Sequence, residues 1–325
     1  MQRAGALLLG ALMLGAPLPY SGAAHAQGWP TPADRSAFVP FATSPFPYAG
    51  EIPEQDKPFL DVTGRGGRGH TSPRGGVYFE DRTYADRRSL LFIPKGFDPR
   101  RPFAIVLFLH GNEARLERDV VARQRVPQQL ARSGLNAVLL APQFAVDALD
   151  SSAGHFWEAG HLSRYLAEAA PRLAALAGDG GLREAFAAAP VILVAYSGGY
   201  LPAAFALERG RAEGRICGVI LLDGLYAEAP RMADFVAAHP DAFFFSAYSA
   251  STRAENTALQ KLLAAKGVRL STGLPGELKP GVVSFLPVPG DVTHNDFVTR
   301  AWTSDPLQAV LSRVGAFAKG TKPAR

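Results

Sequence analysis

The sequence predicts an α/β fold: a mostly parallel central sheet, helices on both faces, and an N-terminal antiparallel hairpin. Three observations carry this. Short, near-continuous apolar runs recur from Phe103 to Val288, as expected of strands buried on both faces. Helical stretches closed by glycine lie between several of them. The 325 residues, 47% apolar and 19% charged, are enough for a well-buried core.

Composition also excludes several classes. The apolar runs are far shorter than a bilayer span, so a multi-pass membrane protein is excluded. The 34 basic and 29 acidic residues are spread without a dense basic block, which argues against a nucleic-acid partner. The single cysteine, Cys217, rules out an intrachain disulfide and any multi-cysteine metal site, and it reads as a small buried hydrophobe.

Residues 1–26 read as an export signal. Arg3 supplies the positive end, Ala4 to Ala16 the apolar stretch, and Ala24-His25-Ala26 the small-x-small cleavage site. Glycines and prolines interrupt this segment too often for a membrane anchor, so no stable membrane insertion is expected after cleavage. The expected location is the bacterial periplasm or the medium. Residues 27–76 are dense in Pro, Gly and Ser, including the tract Gly64-Arg65-Gly66-Gly67-Arg68-Gly69, and predict an extended, poorly packed surface arm. The main domain is expected over 77–325.

That domain begins with Val77-Tyr78-Phe79 and Ser89 to Ile93, read as a hairpin pair. The apolar runs Phe103–Leu109, Ala137–Leu140, Val191–Ala195, Ile216–Leu222, Ala242–Ala247 and Val282–Val288 follow as strands. Helices are expected at Ala114–Ser133, Leu162–Ala177 and Ala254–Lys266, each closed by a glycine. Right-handed crossovers then gather the functional loops at the carboxyl ends of the strands.

Chemistry-bearing residues stand at those ends. The strand from Val191 runs into Ala195-Tyr196-Ser197-Gly198-Gly199, with Pro202 early in the helical segment that follows. A sharp strand-to-helix turn admits only small side chains two residues either side of the serine, a need that Ala195 and Gly199 meet. The Gly198 N–H then faces the reaction centre as a candidate oxyanion donor. The strand Phe103–Leu109 ends in His110-Gly111-Asn112, whose loop offers a second donor from Asn112 or Glu113. His110 is expected to shape this loop and line the site, not to act as the base. His294 follows the last strand and is the expected base. Asp223, at the end of Ile216–Leu222, is the expected acid, with Glu228 and Glu255 as rivals.

These residues resemble the α/β-hydrolase superfamily, over roughly Val77 to Ala318, through the Ser197 elbow, the order Ser, acid, His, and the His110-Gly111-Asn112 loop. Two departures stand out: Ala195 replaces the first elbow glycine, and the acid follows the strand directly after the elbow strand instead of the next one. The resemblance implies the α/β-hydrolase fold and a serine hydrolase of esterase or lipase type. It also implies an acyl-enzyme formed at Ser197 with His294 and Asp223, and no cofactor or metal.

The long connection Ala141 to Leu162 leaves a strand end and is expected to overhang the serine, with Phe156 and Trp157 near the substrate. Tyr196 and Tyr200 flank the elbow, and Tyr196 is a candidate pocket residue. His155 and His161 lack the surrounding pattern of a zinc site, so a metal role is set aside. The expected partner is a small ester or acyl compound of short or medium chain, and the oligomeric state is left open. The same triad serves an amidase, a peptidase or an acyltransferase on cell-envelope material, and an inactive binding protein of this fold is the alternative outside catalysis.

Overall fold

The computed structural model describes residues 28–288 and 290–319. The expected export signal lies outside them. Nine strands form the central sheet: β1 Arg35–Pro40, β2 Arg88–Ile93, β3 Ala104–Leu109, β4 Ala137–Pro142, β5 Val191–Tyr196, β6 Ile216–Leu222, β7 Phe243–Tyr248, β8 Ser271–Thr272 and β9 Val283–Pro287. Their order across the sheet is β1-β2-β4-β3-β5-β6-β7-β9-β8. Strand β2 runs antiparallel to both neighbours, and every other pairing in this sheet except β1–β2 and β2–β4 is parallel. This is the α/β-hydrolase fold.

Why the strands read as continuous apolar runs is visible in the packing. Ile105, Leu107, Leu193 and Leu221 point into one core, and Val106, Phe108, Val194 and Leu222 into the other. Successive side chains alternate faces, so a sheet covered twice needs an apolar residue at every position. The first core is closed by α2 His161–Ala177, α3 Tyr200–Arg209, α4 Ala229–Ala238 and α5 Arg253–Ala265. The second is closed by α1 Val126–Arg132 and α6 Pro306–Leu311.

Three expectations need correction. The helix expected over Ala114–Ser133 is interrupted: a π-type helical segment, Leu116–Arg123, precedes a break at Arg125, where φ is 55°, and α1 begins beyond it. Pro127, which has no N–H to donate, takes the first turn of α1. Antiparallel pairing is present near the N-terminus, but between other partners. Strand β2 pairs with β1, whereas Val77–Phe79 pairs with Gly67–Thr71 in a separate three-stranded sheet.

The third correction concerns the arm. Residues 35–40 are the edge strand β1, and Phe41, Phe46 and Phe59 are fully buried in the same core as the sheet. Glu168 of α2 accepts the N–H groups of Ala42 and Thr43, at 2.9 and 2.8 Å. A boundary at residue 76 therefore cuts through the sheet and its core. Proline and glycine exclude regular structure here without excluding burial, because aromatic side chains pack well from irregular backbone.

Candidate active site

Strand β5 ends at Tyr196, and Ser197 occupies the left-handed region at φ 53°, an arrangement costing on the order of 1–3 kcal/mol for a non-glycine residue. Gly199 makes the turn possible, since a Cβ there would run into the Leu109 carbonyl oxygen of β3. Gly111 has an equally strict requirement: its Cβ would lie 2.6 Å from that of Ser197. The small residues thus let two strand ends close over one hydroxyl.

That hydroxyl lies 2.7 Å from His294 Nε2, and His294 Nδ1 lies 2.6 Å from Asp223 Oδ2. A carboxylate only accepts, so the imidazole proton is on Nδ1, and Nε2 is left to accept from Ser197. The other carboxylate oxygen of Asp223 accepts from the Ser249 N–H at 2.9 Å and the Thr252 hydroxyl at 2.5 Å. Burial alone would raise the Asp223 pKa, but these bonds, that from His294 foremost, outweigh it and hold the carboxyl below its usual range. Of the three acids considered from sequence, Asp223 is the one that reaches the imidazole. Glu228 pairs with Arg231 at 2.8 Å, and Glu255 sits in the first turn of α5.

The His294 loop is held from two sides. Thr293 and Asp296 form a reciprocal cap at the start of the short helical turn His294–Val298, and the Tyr196 ring stacks on the imidazole with centroids 5.0 Å apart. Tyr226 adds a hydroxyl 3.3 Å from His294 Nδ1.

The donors around the serine are unequal. The Gly198 N–H stands at the start of the helical turn after the elbow, where no preceding helical carbonyl can take it. Asn112 lines the cavity. Its Oδ1 accepts the Ser151 hydroxyl at 3.0 Å, and its buried Nδ2 has no partner among the described residues. The Glu113 N–H is committed to the Ala148 carbonyl at 2.8 Å, which removes it as a donor and corrects its place in the expected oxyanion hole.

His110 shapes the loop from beneath and does not line the cavity. Its Nδ1–H donates to the Gly111 carbonyl at 2.7 Å, while Nε2 accepts the Phe144 N–H at 2.8 Å and the Gln143 amide at 3.0 Å. Burial pushes its pKa down to about 4, so it stays neutral near pH 7.

Ser197, His294, Tyr196 and Tyr226 share a cavity of about 430 Å³ whose remaining wall is largely charged, with Arg74, Arg118, Asp119 and Arg123. Phe156 and Trp157 do not line it. Phe156 is 1% exposed and packs against His161 and Tyr165, and Trp157 faces a neighbouring cavity of about 320 Å³. The Ala141–Leu162 connection folds inward, with Trp157 packed against Tyr48 and Phe59 of the N-terminal segment and Phe156 against Phe144 and Tyr165. His155, Glu158 and His161 offer ligand atoms within 4.8 Å of one another. Both imidazoles donate through Nε2 to carbonyls of that same segment, Pro47 and Thr43, each at 2.9 Å, and Arg164 pairs with Glu158 at 2.8 Å. The trio ties the connection to the segment. Cys217 is partly buried against the Val191 carbonyl, and burial pushes its thiol up to about 12.

Sequence reasoning missed Thr252 and Ser249, although they follow the end of β7, where the strand-end rule points. It also missed Tyr226 and Arg74, for which no local signal exists.

No family model and no curated protein matches this sequence. Similar solved structures include a feruloyl esterase module from Clostridium thermocellum complexed with sinapinate, at 13% identity and TM-score 0.48, with 90% of each chain covered. An S-formylglutathione hydrolase from Agrobacterium tumefaciens matches at 13% identity and TM-score 0.42, over 78% of this chain and 98% of that one. Brefeldin A esterase, a bacterial homologue of human hormone-sensitive lipase, matches at 13% and TM-score 0.41, over 88% and 74%.

Proposed function

We propose that this protein is a serine hydrolase that cleaves carboxylic esters. The observation that carries the reading is the unbroken chain from Ser197 Oγ through His294 to Asp223, with contacts of 2.7 and 2.6 Å, at the carboxyl ends of β5 and β6.

In the proposed reaction Ser197 Oγ attacks the ester carbonyl as its proton passes to His294 Nε2. Asp223 holds the Nδ1 proton and stabilises the imidazolium. The oxyanion is met by the Gly198 N–H and by Asn112, each donor worth about 3 kcal/mol. His294 returns the proton to the departing alkoxide. Water then loses a proton to His294, attacks the acyl-enzyme, and releases the acid as Ser197 regains its hydrogen. The chemistry calls for no cofactor.

A cavity of about 430 Å³ suits short or medium acyl groups better than long lipid chains. Export to the periplasm or medium rests on the signal-like residues 1–26, and among the described residues no helix is long and apolar enough to cross a membrane. A mature N-terminus at Gln27 in the exported fraction is the expected result.

A fluorophosphonate probe tests the chemistry directly. Wild type is expected to label at Ser197, Ser197→Ala to stay unlabelled, and His294→Ala to label far more slowly. Equal labelling of wild type and Ser197→Ala removes the proposal. Rates on 4-nitrophenyl esters of increasing chain length test the acyl preference, and faster turnover of long-chain emulsions contradicts it.

A further inference from the structure

The catalytic cavity and its neighbour meet at one side chain, Arg74, which lines both. Arg74 stands in the turn between the strands Gly67–Thr71 and Val77–Phe79, where Gly75 and Gly76 take φ of 96° and 91°. The turn is anchored. Ser72 is buried, its hydroxyl donates to the Leu149 carbonyl at 2.6 Å, and the same oxygen accepts the Arg74 N–H at 3.2 Å. Leu149 itself lines the catalytic cavity. The backbone is therefore pinned to the cavity wall while the guanidinium is left exposed.

The other cations on that wall are occupied. Arg118 bridges Asp119 and Asp147 at 2.7 and 2.9 Å, and Arg123 pairs with Asp119 at 2.9 Å. Arg74 differs: its guanidinium carbon lies over the Tyr226 ring, 6.0 Å from the centroid, and no carboxylate lies within ion-pair distance among the described residues. Among the residues that line the cavity, Arg118 and Arg123 thus have their charge met by Asp119 and its neighbours, and Arg74 is the guanidinium left to meet an incoming anion. Tyr226 in turn touches His294. A ring supports one face of a guanidinium and leaves its in-plane N–H fork free, and that fork matches a carboxylate.

We infer that Arg74 recognises a carboxylate on the substrate, so that the ester hydrolysed at Ser197 is an acidic one, charged in its acyl or its alcohol part. This inference rests on the reading of Ser197 as nucleophile and names the substrate class of that site. Glu113, whose carboxylate has no ion-pair partner among the described residues, repels the same charge and sharpens the demand that the anion sit at Arg74.

Two matched pairs test it: 4-nitrophenyl hydrogen succinate against 4-nitrophenyl butyrate, and 3-carboxyphenyl butyrate against phenyl butyrate. The wild-type ratio of kcat/KM, charged over neutral, is expected to fall about tenfold in Arg74→Gln for at least one pair, through KM, and to recover partly in Arg74→Lys. Added salt is expected to lower the wild-type ratio and leave that of Arg74→Gln nearly flat. Binding is read separately from turnover by titrating 4-nitrophenyl hydrogen succinate calorimetrically into Ser197→Ala, with and without Arg74→Gln, where about a tenfold loss of affinity is expected. Ratios and affinities unchanged by Arg74→Gln overturn the assignment, whether or not Ser197 labels with fluorophosphonate. Failure of labelling with intact Arg74-dependent binding overturns the nucleophile instead.

Discussion

The sharpest test of the proposed chemistry is Asp223→Asn, because the surroundings of Asp223 dictate which way the new amide points. One carboxylate oxygen accepts both the Ser249 N–H and the Thr252 hydroxyl, at 2.9 and 2.5 Å. An asparagine keeps both bonds only by placing its carbonyl oxygen there, which turns its NH₂ toward His294 Nδ1, where the carboxylate oxygen stood at 2.6 Å. Two N–H groups cannot face each other at that distance. The imidazole must move its proton to Nε2 and present it to Ser197 Oγ, 2.7 Å away. A histidine in that tautomer cannot take the serine proton.

The expected loss in kcat is about 10⁴-fold, or about 5.5 kcal/mol of barrier at 1.36 kcal/mol per decade. Turnover of 4-nitrophenyl butyrate and the rate of fluorophosphonate labelling both report it, and thermal unfolding checks that the near-isosteric variant is folded. Glu255→Gln and Glu228→Gln serve as comparators with small effects. A loss below about tenfold in Asp223→Asn, or a comparable loss in either comparator, refutes the tautomer reasoning and moves the acid elsewhere.

Phe156→Ala is expected to cost about 3–5 kcal/mol of stability in denaturant unfolding while KM for 4-nitrophenyl butyrate holds, since the ring is core; a raised KM at unchanged stability returns it to the substrate wall. Gly199→Ala forces a Cβ against the Leu109 carbonyl oxygen, so about 1–3 kcal/mol of destabilisation is expected together with loss of labelling at Ser197, and a stable, fully labelling variant contradicts the elbow geometry. Acid stability follows from the carboxyls of Asp223, Asp119 and Glu168, all held below their ordinary pKa values. Stability from such depressed groups is complete above the unfolded value, about 4, and is lost as pH falls through the folded values. Unfolding free energy should therefore decline below about pH 4, and a flat profile from pH 5 to 2 contradicts it.

What was legible in the sequence was what a repeating backbone pattern dictates. Strands β3 to β7 and β9 are mostly buried apolar runs, wholly buried in Val191–Tyr196, and the loops at their ends bring Ser197, Asp223 and His294 within hydrogen-bonding reach. The small residues at 195 and 199 were readable because sterics at a sharp turn leave little choice, whereas the need at 111 arises only from the approach of the Ser197 side chain. Strand β1 was not. Its pattern in Arg35–Pro40 alternates half-buried and exposed residues on a strand that ends in proline, as an edge strand does. Phe156 and Trp157 misled for a related reason: an aromatic pair on a long loop is equally compatible with overhanging a site and with plugging a core. For Trp157 the choice was made by Tyr48 and Phe59, about a hundred residues earlier in the chain, and for Phe156 by Phe144, His161 and Tyr165.

These failures share a cause that bears on function. The proposed reacting groups stand on loops that follow strand ends, where the regular sheet sets position, so local sequence is informative. The walls that would choose a substrate come from the irregular segment before β2, held by contacts far apart in the chain. Ser72 reaches Leu149, Thr43 reaches Glu168, and Pro47 reaches His155. Arg74 is displayed by that segment, and its value lies in being unpaired beside a site whose other arginines are paired. No residue pattern encodes the absence of a partner. The proposed substrate class therefore rests on which side chains are paired around a folded cavity, whereas the proposed reaction rests on the order of three residues along the chain.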